Sequence, residues 1–161
     1  MLELPELVLF DDHGNDWETY ENVLYEYFKN DFIITQPVYR GSRVYISKHP
    51  LHKGKEHTFW HITSTGKIES ERVPDFRKCE RIRWPNPILN NCEKLKFKSW
   101  ENKRGKDKNI CICYGDWEYL IILIIKKGYS LLLTAYPIEK EHSKRKLEKE
   151  YNQYIANIAP V

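Results

Sequence analysis

Four short apolar runs stand close together in the last part of the chain: "FKSWEN", "NICICYG", "EYLIILIIKK" and "YSLLLTAYP". Only "KRGKDK", "DW" and "KKG" separate them, too little chain for the crossover a parallel pair needs. Neighbouring runs must therefore pair antiparallel, as a four-stranded meander. Immediately after Pro137 the texture changes to "IEKEHSKRKLEKEYNQYIANI". This reads as a long charged helix over 139–158, with Leu147, Tyr151, Tyr154, Ile155 and Ile158 as its apolar stripe.

Upstream, Trp17, Tyr20, Leu24, Tyr27 and Phe28 fall near one helical face, with Asn15 or Asp16 available as N-cap. They predict an acidic N-terminal helix within 15–30. "DFIITQPVYRGSRVYISKHP" reads as a hairpin turned at Arg40-Gly41-Ser42, and the aromatic, β-branched "TFWHITSTG" as a further strand. In "PDFRKCERIRWPNPILNN", Phe76, Cys79 and Ile82 have helical spacing and Pro85 follows a break, so two short helices are expected. The fold class is α+β: N-terminal helix and hairpin, short middle helices, antiparallel meander and long C-terminal helix.

A chain of 161 residues fits one domain, 1–161, and no repeat or linker suggests a boundary. No basic leader opens it, and no apolar run approaches the roughly 20 residues that cross a bilayer. A soluble, unprocessed, cytoplasmic protein without membrane association is the expectation. Cys79, Cys92, Cys111 and Cys113 lack the spacing of a zinc ribbon and are expected as reduced thiols. Four histidines, His49, His52, His57 and His61, fall within thirteen residues, but a strand there offers no helical i,i+4 ligand pair, so neither metal nor cofactor is expected.

Charge is unevenly distributed. Residues 1–31 hold nine acids and one base, whereas residues 40–108 hold eighteen bases and eight acids. A basic middle is the footprint of a chain that holds phosphates. Within it Arg77, Arg81 and Arg83 lie beside Trp84, and Lys103 and Arg104 follow Trp100. Arginine forks grip phosphate and indole faces stack on bases, so Arg77, Trp84, Trp100, Arg104 and His57 are candidate nucleic-acid contacts.

Cleaving RNA without metal requires a base for the 2′-hydroxyl, an acid for the leaving 5′-oxygen and positive charge on the phosphorane. Candidates for these roles are His61, Arg81, Arg83, Lys103, Thr134 and Tyr136. Alternation along the last strand puts Thr134 and Tyr136 on one face, opposite Ala135.

The order "FWHITSTG", "RKCERIRWP" and a meander ending in "LLTAYP" resembles the prokaryotic and phage-associated ribonucleases grouped with barnase, EndoU, colicin ribonuclease domains and RelE. The resemblance implies a nuclease core over 57–138, metal-independent transesterification of RNA, and an inhibitory or antitoxin partner. Its histidine maps to His61, its basic residue to Arg81, Arg83 or Lys103, and its strand-end hydroxyls to Thr134 and Tyr136. Two other readings compete. Asp75 with Glu101 and Lys103 spells the PD and ExK pattern of Mg²⁺-dependent DNA nucleases, and the same basic, aromatic surface suits a non-catalytic nucleic-acid-binding module.

Overall fold

The structure, a computed structural model, describes residues 2–158, and only the backbone of Arg104. In chain order the elements are α1 (Trp17–Lys29), β1 (Val38–Tyr39), β2 (Ser42–Tyr45), α2 (His57–His61), β3 (Ser64–Thr65), β4 (Val73–Pro74), α3 (Phe76–Glu80), α4 (Pro85–Asn91), β5 (Lys98–Arg104), β6 (Asp107–Tyr114), β7 (Tyr119–Lys126), β8 (Tyr129–Pro137) and α5 (Glu141–Ile158).

Asp16 caps α1 by accepting from the Thr19 amide at 3.0 Å. Tyr20, Leu24 and Phe28 recur every fourth residue and are buried, and a π turn at Asn30–Ile34 carries Phe32 into the same core. The Tyr20 hydroxyl donates to the Val8 carbonyl at 2.7 Å, fastening the N-terminal segment to the helix. The β1–β2 hairpin turns through Arg40 and Gly41, both at positive φ (52° and 76°), the geometry a two-residue hairpin favours.

The meander forms as its short connections require, and the hairpin extends it into a six-stranded sheet of order β1-β2-β8-β7-β6-β5. One pair departs from the antiparallel pattern: β2 runs parallel to β8, paired at Val44↔Ser130 and Tyr45↔Leu131. Ile110, Ile112, Ile121, Leu123, Leu132 and Ala135 share a core with α1 to α4. On the other face Trp100, Cys111, Cys113, Leu120 and Ile122 pack with Leu147, Tyr151 and Tyr154 of α5. Beyond Tyr154 the stripe of α5 is uncovered, with Ile155 and Ile158 exposed. All four cysteines are free and buried. Among the described residues no helix is long and apolar enough to cross a membrane.

The second half of β8 differs from the first in two ways. A bulge between its pairings Leu123↔Leu132 and Ile122↔Thr134 leaves Leu133 as the extra residue. Pairing with β2 stops at Leu131, so Thr134 to Pro137 have no strand on that side, and α2 and α3 pack against β8 instead.

Candidate active site

The expected strand over "TFWHITSTG" is instead the short helix α2 followed by the two-residue β3. Its aromatic and β-branched residues favour strand locally, but the hydroxyls redirect the backbone. Thr58 Oγ1 accepts from the Ser47 amide at 2.7 Å. Thr63 Oγ1 donates to the Phe59 carbonyl at 2.8 Å and Ser64 Oγ to that of Trp60, occupying helix-end carbonyls. Helical spacing then brings His57 and His61 together one turn apart, with ring centroids 4.2 Å from each other and ring planes tilted by 39°.

After α2 the chain makes a small hairpin, β3 pairing antiparallel with β4. Its loop brings Glu69 back to His61, Oε1 to Nε2, at 2.8 Å. Arg72 fixes that loop, donating to Ser64 Oγ at 3.0 Å, to the Ser64 carbonyl at 2.7 Å and to the Gly66 carbonyl at 2.7 Å. Gly66 stands at φ 141°, and a Cβ there would lie 3.2 Å from the Arg72 Cα, so a side chain would be both strained and crowded.

An ionised carboxylate only accepts, so the bond from His61 to Glu69 puts the proton on Nε2 and leaves Nδ1 as the basic nitrogen. Burial pulls the His61 pKa below its ordinary value; the Glu69 bond opposes this and the Arg72 and His57 charges add to it. Burial alone would raise the Glu69 pKa, but the bond from His61 and the charges of His61, His57 and Arg72 outweigh it, so the net direction is down.

Asp75 caps α3, accepting from the amides of Arg77 at 3.0 Å and Lys78 at 3.2 Å. The helix so started presents Lys78, whose Nζ donates to the carbonyls of His61 at 3.1 Å and Ser64 at 2.9 Å. Burial, reinforced by the Arg72 charge, lowers the Lys78 pKa to about 8. From β8, Thr134 Oγ1 donates to the same His61 carbonyl at 3.3 Å, and the Tyr136 ring centre lies 6.0 Å from Lys78 Nζ. His61, Arg72, Lys78, Thr134, Tyr136 and Lys140 line one cleft of about 710 Å³. A second cavity of about 460 Å³, walled by Trp17 and Trp60, adjoins it through Arg72 and also carries His57 and Glu69.

Of the residues expected at a site, His61, Thr134 and Tyr136 meet in this cleft, with His57 beside them. The others are engaged elsewhere. Arg77 (2.9 Å) and Arg81 (3.5 Å) neutralise the buried carboxylate of Glu80, and Arg81 also lies over Trp84. Arg83 stacks on Tyr27, 4.6 Å from the ring centre. Trp84 donates to the Pro5 carbonyl at 3.0 Å. Trp100 is only 1% exposed and donates to Glu150 at 2.8 Å, which makes it a core residue and removes it as a stacking platform. Lys103 is exposed on the edge strand β5, and the Arg104 side chain lies outside the described residues. The positive charge at the cleft comes from Lys67, Arg72, Lys78 and Lys140, of which Arg72 and Lys78 stand nearest His61 in the hydrogen-bond pattern.

The PD and ExK pattern does not assemble either. Asp75 lines the cleft beside β8 and serves as a helix cap, whereas Glu101 and Lys103 stand on β5, with Glu101 paired to Lys108 at 3.1 Å. Three strand spacings, roughly 14 Å, separate β5 from β8. Among the described residues the group that could converge on a cation is different: His57, His61 and Glu69, whose ligand atoms all lie within 4.8 Å of one another. The i,i+4 histidine pair that a strand would have denied is supplied by α2.

Sequence reasoning passed over Glu69, Arg72 and Lys78. Gly66, between "ITST" and "KIESERVP", was the available sign that the chain turns back and returns an acidic segment to His61. No family model matches the chain, and no match was found among curated proteins or solved structures.

Proposed function

We propose that this protein is an endoribonuclease that cleaves RNA by attack of the 2′-hydroxyl on the adjacent phosphate, without a metal. The observation that carries the reading is the meeting of a carboxylate-bonded histidine with a half-buried lysine and two strand-end hydroxyl residues along one open cleft.

In this reading His61 Nδ1 removes the 2′-hydroxyl proton while Glu69 holds the ring and stabilises the imidazolium that forms. The 2′-oxygen bonds to phosphorus and the bond to the 5′-oxygen breaks. Lys78, poised near neutral pH by its burial, offsets the charge of the phosphorane and gives a proton to the departing 5′-oxygen. Arg72 has three of its five N–H groups committed to the hairpin, which fixes its guanidinium and leaves two for a phosphate oxygen. Thr134 and Tyr136 orient the phosphate from the strand side. The products are a 2′,3′-cyclic phosphate and a 5′-hydroxyl, and the protons on His61 and Lys78 exchange back through solvent.

The adjoining cavity, with Trp17 and Trp60 in its wall, offers aromatic surface to a base next to the scissile phosphate. The test is incubation of the purified protein with single-stranded RNA and with single-stranded DNA of the same sequence, both in chelator. Cleavage of RNA with DNA untouched is the expected result, because DNA lacks the attacking hydroxyl. Cutting of both strands, or binding without cutting, would reject the mechanism.

A further inference from the structure

We propose that His57, His61 and Glu69 form a zinc-binding site and that Zn²⁺ bound there switches the cleavage chemistry off. The inhibitory half of this inference rests on the ribonuclease reading; the site itself does not.

The geometry has three parts. His57 and His61 are four residues apart on α2, so they project from one helical face, and their ring centres already lie 4.2 Å apart. Glu69 reaches the same point from the β3–β4 hairpin, with Oε1 2.8 Å from His61 Nε2. One ligand atom from each residue lies within 4.8 Å of the other two, so a side-chain shift of about an ångström brings them to the separation of about 3.4 Å that bonds of about 2.0–2.2 Å impose around one tetrahedral zinc ion. Two imidazoles and one carboxylate are a ligand set Zn²⁺ accepts, with a fourth position left for water.

The supports of the three residues are independent of any ion. Thr58, Thr63 and Ser64 close α2 through backbone bonds, and Arg72 pins the hairpin that carries Glu69. Access is open, because His57 and Glu69 both line the cavity beside α2 and Glu69 is exposed. The metal takes the place of the proton shared between His61 and Glu69. It thereby removes the carboxylate that orients the ring and adds positive charge beside a nitrogen that must accept a proton. A single ion thus engages the proposed base and its partner together.

The experiment is calorimetric titration of Zn²⁺ into metal-free protein, run for the wild type, His57→Ala and Glu69→Gln, with Mg²⁺ as the comparison ion. One equivalent of Zn²⁺ is expected to bind the wild type, and loss of either ligand is expected to weaken it by at least about tenfold. Circular dichroism of each variant separates ligand loss from unfolding. RNA cleavage at rising Zn²⁺ is then followed, each variant against its own metal-free rate. Half-inhibition of the wild type should coincide with site occupancy and move to at least about tenfold higher Zn²⁺ in His57→Ala. No stoichiometric binding, or binding that both variants retain, overturns the site and leaves the ribonuclease reading standing. Binding that stimulates cleavage overturns the inhibitory role, and binding by a protein that cleaves no RNA overturns that role together with the ribonuclease reading while the site stands.

Discussion

The Thr134 hydroxyl donates to the backbone carbonyl of His61 across 3.3 Å, and that same carbonyl accepts from Lys78 at 3.1 Å. The end of β8, the end of α2 and the first turn of α3 are therefore joined at one oxygen. Thr134→Val should cost about 1 kcal/mol of stability, the ordinary worth of a part-buried hydrogen bond. Cleavage should fall further than that, by tenfold or more in kcat, and Thr134→Ser should restore it. Urea melts and single-turnover rates on one RNA separate the two effects.

A bell-shaped pH–rate profile is expected. His61 must be neutral to accept a proton, and its pKa is lowered, so the acid limb should fall below the ordinary 6.5. Lys78 must carry its proton, so the alkaline limb should lie near pH 8. In Lys78→Arg the side chain stays charged far above that pH, and the alkaline limb should disappear with the acid limb unchanged.

Stability should depend on pH through the same two groups. Both folded pKa values are lowered, so the unfolded chain binds more protons between the folded and ordinary values. The His61 contribution is complete above pH 6.5 and is lost as pH falls toward its folded value. Lys78 adds stability as pH rises from about 8 to its ordinary 10.5. Chemical denaturation from pH 5 to 10 in wild type, His61→Gln and Lys78→Met checks both signs; loss of the matching slope in each variant is the expected outcome.

Gly66→Ala should destabilise by more than about 1 kcal/mol, because the residue stands at positive φ and the new Cβ meets the Arg72 backbone. Since Arg72 holds the hairpin that carries Glu69, the acid limb of the pH–rate profile should shift as well. Retention of wild-type stability and profile would show that the hairpin does not position Glu69.

Trp100 looked like a nucleic-acid contact in the sequence and Lys103 like a catalytic cation, and the structure gives them different fates. Trp100→Ala empties a buried indole site and should cost about 3–5 kcal/mol. Lys103→Ala, on an exposed strand edge, should stay within about 0.5 kcal/mol and leave cleavage unchanged. Thermal melts and RNA cleavage on the two variants test this contrast.

The meander was legible in the sequence because "DW" and "KKG" leave no room for any other connection, and strand phase placed Thr134 and Tyr136 together opposite Ala135. α2 was not, because Thr58, Phe59, Trp60, Ile62 and Thr63 favour strand by type, yet the hydroxyls of Thr58, Thr63 and Ser64 hold a helix through bonds to Ser47, Phe59 and Trp60 that no local pattern displays. The basic residues were misassigned for a related reason. Arg77 and Arg81 are drawn to the buried Glu80, and which of several cations faces the cleft depends on that long-range packing rather than on spacing.

The central claim is that the ribose 2′-hydroxyl is the nucleophile and His61 its base, and the most direct test is end-group analysis of RNA incubated with the protein in chelator. The account predicts 2′,3′-cyclic phosphate and 5′-hydroxyl ends from the wild type and a loss of at least about a hundredfold in rate for His61→Ala. Fragments ending in 5′-phosphate, or an undiminished rate from folded His61→Ala, would contradict it.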